Sequence, residues 1–139
     1  MGTTKVKNFD PVIKDVSPGF VKIYNQAYVA EQENLLEICG VGYRKSLEFL
    51  IKDYSIKKYP EQQDVIERKL LAQCINAYVS DTRIKSVATR AVWLGNDETH
   101  FVRKWEDKNL VDLKRLIDLT LHWIEAEALS DLFELEMPT

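Results

Sequence analysis

Residues 107–133, DKNLVDLKRLIDLTLHWIEAEALSDLF, form the longest patterned run in the chain. Within it Leu110, Leu113, Ile117, Leu121, Ile124, Ala128 and Leu132 recur only at steps of three and four. That spacing lays one apolar stripe along an α-helix and turns it toward a bundle core. No segment elsewhere alternates at period two, so a sheet has no candidate strands.

Working back from this helix, the same period recurs. Ser17-Pro18 supplies an N-cap oxygen and a proline at the first helical position. Phe20, Ile23, Tyr24, Ala27 and Ala30 then share one face through about Asn34. From Leu35, the residues Leu36, Cys39, Tyr43, Leu47, Leu50, Ile51 and Tyr54 predict a second helix that ends before Lys57-Lys58-Tyr59-Pro60. Gly40 and Gly42 lie in its first half, where each glycine costs roughly 1 kcal/mol relative to alanine. Close approach of another helix is the expected reason, a displaced bend between the two helices the alternative. Gly-Val-Gly with no preceding strand lacks the context of a phosphate loop. A third helix is predicted from about Gln62 to Val79, with Val65, Ile66, Leu70, Leu71, Cys74, Ile75 and Tyr78 inward. Ser80-Asp81 caps a fourth, which starts near Thr82 and reaches Gly95-Asn96. Residues 1–17 keep no sustained period. The expectation is an all-α, single-domain bundle of four to five main helices over 18–139, with a short irregular N-terminal arm over 1–17.

With 139 residues, 45% of them hydrophobic, the chain can bury a core without disulfides or metal. A formal charge of -3 gives no broad basic field for bulk nucleic acid or anionic membrane. Cys39 and Cys74 sit in apolar helical stretches and read as buried reduced thiols, which favours the cytoplasm. No apolar run approaches the ~20 residues of a membrane span, and Met1–Pro11 lacks the apolar centre of a signal peptide. A soluble, cytoplasmic protein is expected.

Leu94-Gly95-Asn96-Asp97-Glu98-Thr99-His100 concentrates a turn signal, two carboxylates, a hydroxyl and one of two histidines. The His100 imidazole can donate, accept or bind metal, or it can simply fix the junction between helices. Asn96 serves either as a left-handed helix stop or, if helix continues, as the neighbour of His100 one turn on. Asp97 and Glu98 could orient the imidazole or join it on a divalent ion, although the spacing is no separated multi-ligand signature. Arg44 and Glu48 stand four apart and either pair with each other or, facing inward, complete a polar site with Asn96 and His100. Trp93, Trp105 and Trp123 suit packing or base stacking. His122 reads as a rim residue. No metal site or cofactor is expected.

Three stretches, Ile23-Tyr24-Asn25-Gln26-Ala27, Gly42-Tyr43-Arg44-Lys45-Ser46-Leu47-Glu48 and Ala91-Val92-Trp93-Leu94-Gly95-Asn96-Asp97-Glu98-Thr99-His100, carry a resemblance that spans roughly Phe20 to Ile124. The chain resembles a prokaryotic family described as domain of unknown function 4145, itself similar to the HEPN helical bundles. The resemblance implies a HEPN-like bundle that dimerises, alone or appended to larger proteins such as restriction-endonuclease subunits, in a defence or stress setting. Ribonuclease members of the wider superfamily carry an arginine separated from the histidine by four to six residues. Those positions here hold Trp93, Leu94 and Gly95, and the nearest upstream arginine is Arg90. The acidic balance, the missing arginine and the bundle pattern favour an interaction or regulatory module, which the resemblance implies is a homodimer that meets a protein or RNA partner; no role at a membrane is expected. One alternative is a ribonuclease or nucleotide-acting toxin centred on His100 for proton transfer, with Asn96 positioning a phosphate or the histidine, Arg44 supplying positive charge and Glu48 beside it in the candidate site. Another is a small-ligand or metal sensor built on Asp97, Glu98 and His100.

Overall fold

The computed structural model describes residues 3–139, and Met1 and Gly2 of the expected arm lie outside the described residues. The helices are α1 (Pro11–Val16), α2 (Pro18–Gln32), α3 (Leu36–Lys58), α4 (Gln63–Arg68), α5 (Leu71–Tyr78), α6 (Thr82–Thr99) and α7 (Leu110–Glu136), with a 3₁₀ turn over Pro60–Gln62. No strand occurs among the described residues, and no helix there is long and apolar enough to cross a membrane. The four long helices α2, α3, α6 and α7 run up, down, up and down. Their shared core includes Phe20, Tyr24, Tyr43, Leu47, Ile84, Leu113 and Ile117.

Capping residues set the starts of the long helices as their chemistry requires. The Ser17 hydroxyl accepts from the Phe20 amide and donates to Asp53 on α3, so one side chain both opens α2 and ties it to its neighbour. Asp81 accepts from the amides of Arg83 and Ile84 to open α6. Asn109 and Asp112 form a reciprocal capping box at α7.

The helix count exceeds the expected four to five because two segments behave differently from their pattern. First, the arm is not irregular throughout. Asp10 caps α1 with Pro11 in its first turn, and Ile13 is buried. Phe9 packs edge-on against Phe20 and Tyr24, with ring centroids 5.1 and 5.2 Å apart. Side-chain amides on α2 hold the extended chain before α1: Asn25 exchanges hydrogen bonds with the Lys7 backbone and Gln32 with that of Lys5. These bonds give an extended segment the backbone partners it would otherwise draw from water or a sheet.

Second, the run 62–79 is not one helix. Lys69 and Leu70 are extended, so the chain breaks between α4 and α5 without proline or glycine. The freed carbonyls at the end of α4 find tertiary donors: Lys52 on α3 donates to Glu67 O, and the Cys74 thiol donates to Ile66 O at 3.5 Å. The break exposes Leu70 while Ile66, Leu71, Cys74 and Ile75 stay buried.

Helix α3 touches α2 on one side and α6 on the other, and glycines permit both approaches. A Cβ on Gly42 would stand 2.9 Å from Ala27 Cβ on α2, and one on Gly40 would stand 2.7 Å from the Glu98 side chain on α6. The Glu98 chain can swing away, but Ala27 has no such freedom. Gly42→Leu should therefore push α2 from α3 and destabilise the fold by about 1–3 kcal/mol, read as an earlier urea midpoint.

Candidate functional site

Helix α6 does not stop at Gly95-Asn96. It continues to Thr99, and the His100 amide closes it by donating to Asn96 O at 3.0 Å. Gly95 is not left-handed. The absent Cβ instead admits Arg44, whose Cγ would lie 2.7 Å from a Cβ at that position. A left-handed asparagine does end a helix here, but it is Asn34 (φ 60°), where the Leu35 amide reaches back to Ala30 O and terminates α2.

Asn96 and His100 thus sit one turn apart at the end of α6, Asn96 half-buried and His100 exposed. The Asn96 carbonyl also accepts from the Thr99 hydroxyl. The His100 side chain makes no hydrogen bond and no ion pair with any described residue. Arg44 and Glu48 are brought together on α3 as an ion pair, and Lys52, one turn on, adds a second contact to Glu48 at 2.9 Å. Burial works against the Glu48 charge, but the Lys52 ammonium and the Arg44 guanidinium outweigh it and hold the carboxyl below the usual glutamate range. The Arg44 stem packs over Gly95, so this pair reaches α6 one residue from Asn96. His100 stands outside the cluster.

The two carboxylates between Asn96 and His100 have structural partners. Asp97 is 4% exposed, and its oxygens accept from the Lys104 amide at 3.0 Å and the Trp105 amide at 2.8 Å. It is the internal cap of the 100–109 connection. Glu98 pairs with Arg103 at 3.3 Å while lying against Gly40. Arg103 in turn donates to Lys108 O, so the connection is laced at both ends. Among the described residues no group of three or more His, Cys, Asp or Glu side chains is placed to hold a metal ion. Burial pushes both thiols, Cys39 and Cys74, above the usual cysteine range, as expected of reduced core cysteines.

Lacing the connection creates a feature that sequence reasoning did not find. Trp105 is carried onto Trp93 in a near-parallel stack, 5.6 Å between centroids and 11° between planes. Beside the stack a groove of about 330 Å³ is lined by Arg90, Trp93, Leu94, Trp105, Lys108, Asp112, Arg115 and Leu116. Arg90 lies over the Trp93 ring at 5.7 Å while donating to Ser86. Arg90 and Trp93 stand three apart on α6, the visible half of the signal. Trp105 comes from a connection whose path depends on Asp97, which no local pattern encodes. The third tryptophan, Trp123, packs under the Arg83 guanidinium at 4.3 Å, and His122 is exposed beside it.

No family model, curated protein or solved structure matches this chain.

Two outcomes separate structural from chemical roles. Asp97→Ala strands two amides that now bond a carboxylate and should cost about 1.5–3 kcal/mol in urea unfolding, whereas His100→Ala should stay within about 0.5 kcal/mol of wild type. For Glu48 the folded-state value lies below the unfolded one, so its contribution is complete above the ordinary glutamate range and lost as pH falls through the lowered value. The stability gap between wild type and Glu48→Gln should therefore close on acidification, and a gap that widened would contradict the assignment.

Proposed function

We propose that this chain is a non-enzymatic, HEPN-like interaction module of the domain of unknown function 4145 kind, acting in the cytoplasm through self-association and a macromolecular partner. A prokaryotic defence or stress setting follows from the resemblance. The observation that carries the proposal is the distribution of exposed apolar side chains. Leu35, Leu36, Ile38 and Val41 at the start of α3, with Phe101 and Val102 after α6, are exposed at the end of the bundle where Gly40 meets Glu98. Leu129, Leu132, Phe133, Leu135 and Met137 are exposed at the far end of α7. Large apolar surface in patches, rather than scattered singly, is what binding faces are made of.

The polar residues that a nuclease would need are engaged elsewhere. Arg44 and Glu48 neutralise each other, Asp97 holds the following connection, and the His100 side chain has no polar partner to orient it. The three stretches that carry the family resemblance also meet in space. Ala27 touches Gly42, and Arg44 covers Gly95. A shared packing requirement explains the motif without a shared reaction.

A second reading, RNA or nucleotide contact, is favoured by the groove beside the tryptophan stack. Arg90, Lys108 and Arg115 suit phosphate, and the exposed Trp93 ring suits a base. Incubating the pure protein with single-stranded RNA tests both. Intact RNA with wild type and His100→Ala alike is the expected result. Weak binding lost in Trp93→Ala would add the groove to the module's surfaces, whereas efficient cleavage abolished by His100→Ala would replace the module with an enzyme.

A further inference from the structure

Helix α7 has two apolar stripes. One faces the core through Leu113, Ile117, Thr120, Leu121 and Ile124, all buried. On the opposite side Arg115, Leu119, His122, Ala126, Leu129 and Phe133 follow one another at steps of four, three, four, three and four. All but the half-buried Ala126 are exposed. That alternation is the seam of a two-helix coiled coil, not the broader face of a globular helix. No described residue covers it, although α7 has 27 residues and a length of about 40 Å.

The seam is also complementary to itself in reverse. With two copies of α7 antiparallel, Leu129 of one falls opposite Leu119 of the other, small Ala126 opposite His122, and Phe133 opposite Arg115. The charges follow the same order. Beside the first part of α7 the tryptophan groove is lined by Arg90, Lys108 and Arg115 against one carboxylate, Asp112. Beyond Trp123 the chain carries Glu125, Glu127, Asp131, Glu134 and Glu136 and no lysine or arginine. Carboxylates at a helix C-terminus oppose the helix dipole, and among the described residues only Glu127 in this set has an ion-pair partner, Lys58. An antiparallel copy brings that groove alongside the acidic end and aligns the two dipoles head to tail.

We propose that α7 docks antiparallel on α7 of a second copy of this chain, with Phe133 of each seated on Arg115 of the other at the edge of the tryptophan groove. This rests on the interaction-module reading and names its partner and register. Phe133 supplies an aromatic face for the guanidinium, and Glu134 falls opposite Lys114, beside the groove that Arg90, Lys108 and Arg115 line.

Sedimentation equilibrium on the full chain tests it. Wild type should be dimeric, and Leu129→Glu/Phe133→Glu should weaken the dimer by about 30-fold or more with an unchanged helical spectrum, since both side chains lie outside the monomer core. Arg115→Glu should weaken association, and adding Glu134→Lys should restore it, which an unrelated register would not do. A dimer indifferent to the α7 changes but dissolved by Ile38→Asp would overturn this docking and leave the module reading standing. Wild type monomeric to near-millimolar concentration would overturn self-docking outright, with the RNA assay deciding the module reading separately.

Discussion

Two missing Cβ atoms set the closest helix approaches in this molecule, that of Gly42 against Ala27 of α2 and that of Gly95 on α6 against the Arg44 stem of α3. Gly40 and Gly42 stand two apart and therefore point to opposite sides of α3, one toward α6 and the other toward α2. Gly42 meets the rigid Ala27, whereas Gly40 meets the flexible Glu98 chain. The roughly 1 kcal/mol that each glycine costs the helix is offset by what the short distances permit. Tyr43, next to Gly42 in sequence, is fully buried with its ring 4.9 Å from that of Tyr24, and its hydroxyl still reaches Glu31 on α2. Burial and the Glu31 carboxylate together push this phenol far above the usual tyrosine range. A second tyrosine, Tyr54, repeats the arrangement three turns on against Glu127 of α7. The bundle is thus pinned at both ends of α3 by phenols whose bodies are core and whose tips are polar.

Periodicity and capping were legible because each depends on residues near in sequence. The α7 stripe, the Ser17-Pro18 start of α2 and the Asp81 cap of α6 could be read directly, and so could the reason for Gly40 and Gly42. What could not be read depends on partners distant in sequence. The break at Lys69-Leu70 keeps the apolar spacing of a continuous helix, and its stabilising donors, Lys52 and Cys74, come from α3 and α5. Asn34 and Asn96 are the same residue type after similar apolar runs, yet only Asn34 ends its helix. At Gly95-Asn96 the packing of Arg44 favours continued helix, a tertiary override of a local stop signal.

The polar corner at the end of α6 illustrates the same limit for chemistry. Its composition was visible, and proximity in sequence suggested that Asp97, Glu98 and His100 act together. Helical geometry separates them instead. Asp97 turns inward to two backbone amides, Glu98 turns toward α3, and His100 is left at the surface. Adjacent residues on a helix face different ways, so a dense string of functional groups distributes its contacts among several neighbours rather than converging on one. The groove that does gather convergent groups draws them from α6, the connection and α7, which share no local motif.

The stack of Trp93 on Trp105 has a spectroscopic consequence. Two indoles 5.6 Å apart and nearly parallel couple their electronic transitions, whereas Trp123 lies apart from them under Arg83. One of the coupled rings belongs to a helix and the other to a connection held by the buried Asp97 carboxylate and by the ion pair of Glu98 with Arg103. Release of that connection would decouple the indoles while leaving every long helix in place. The near-ultraviolet circular dichroism of this chain therefore carries, beside the signals of its other packed aromatic side chains, a contribution that reports whether this connection is in place.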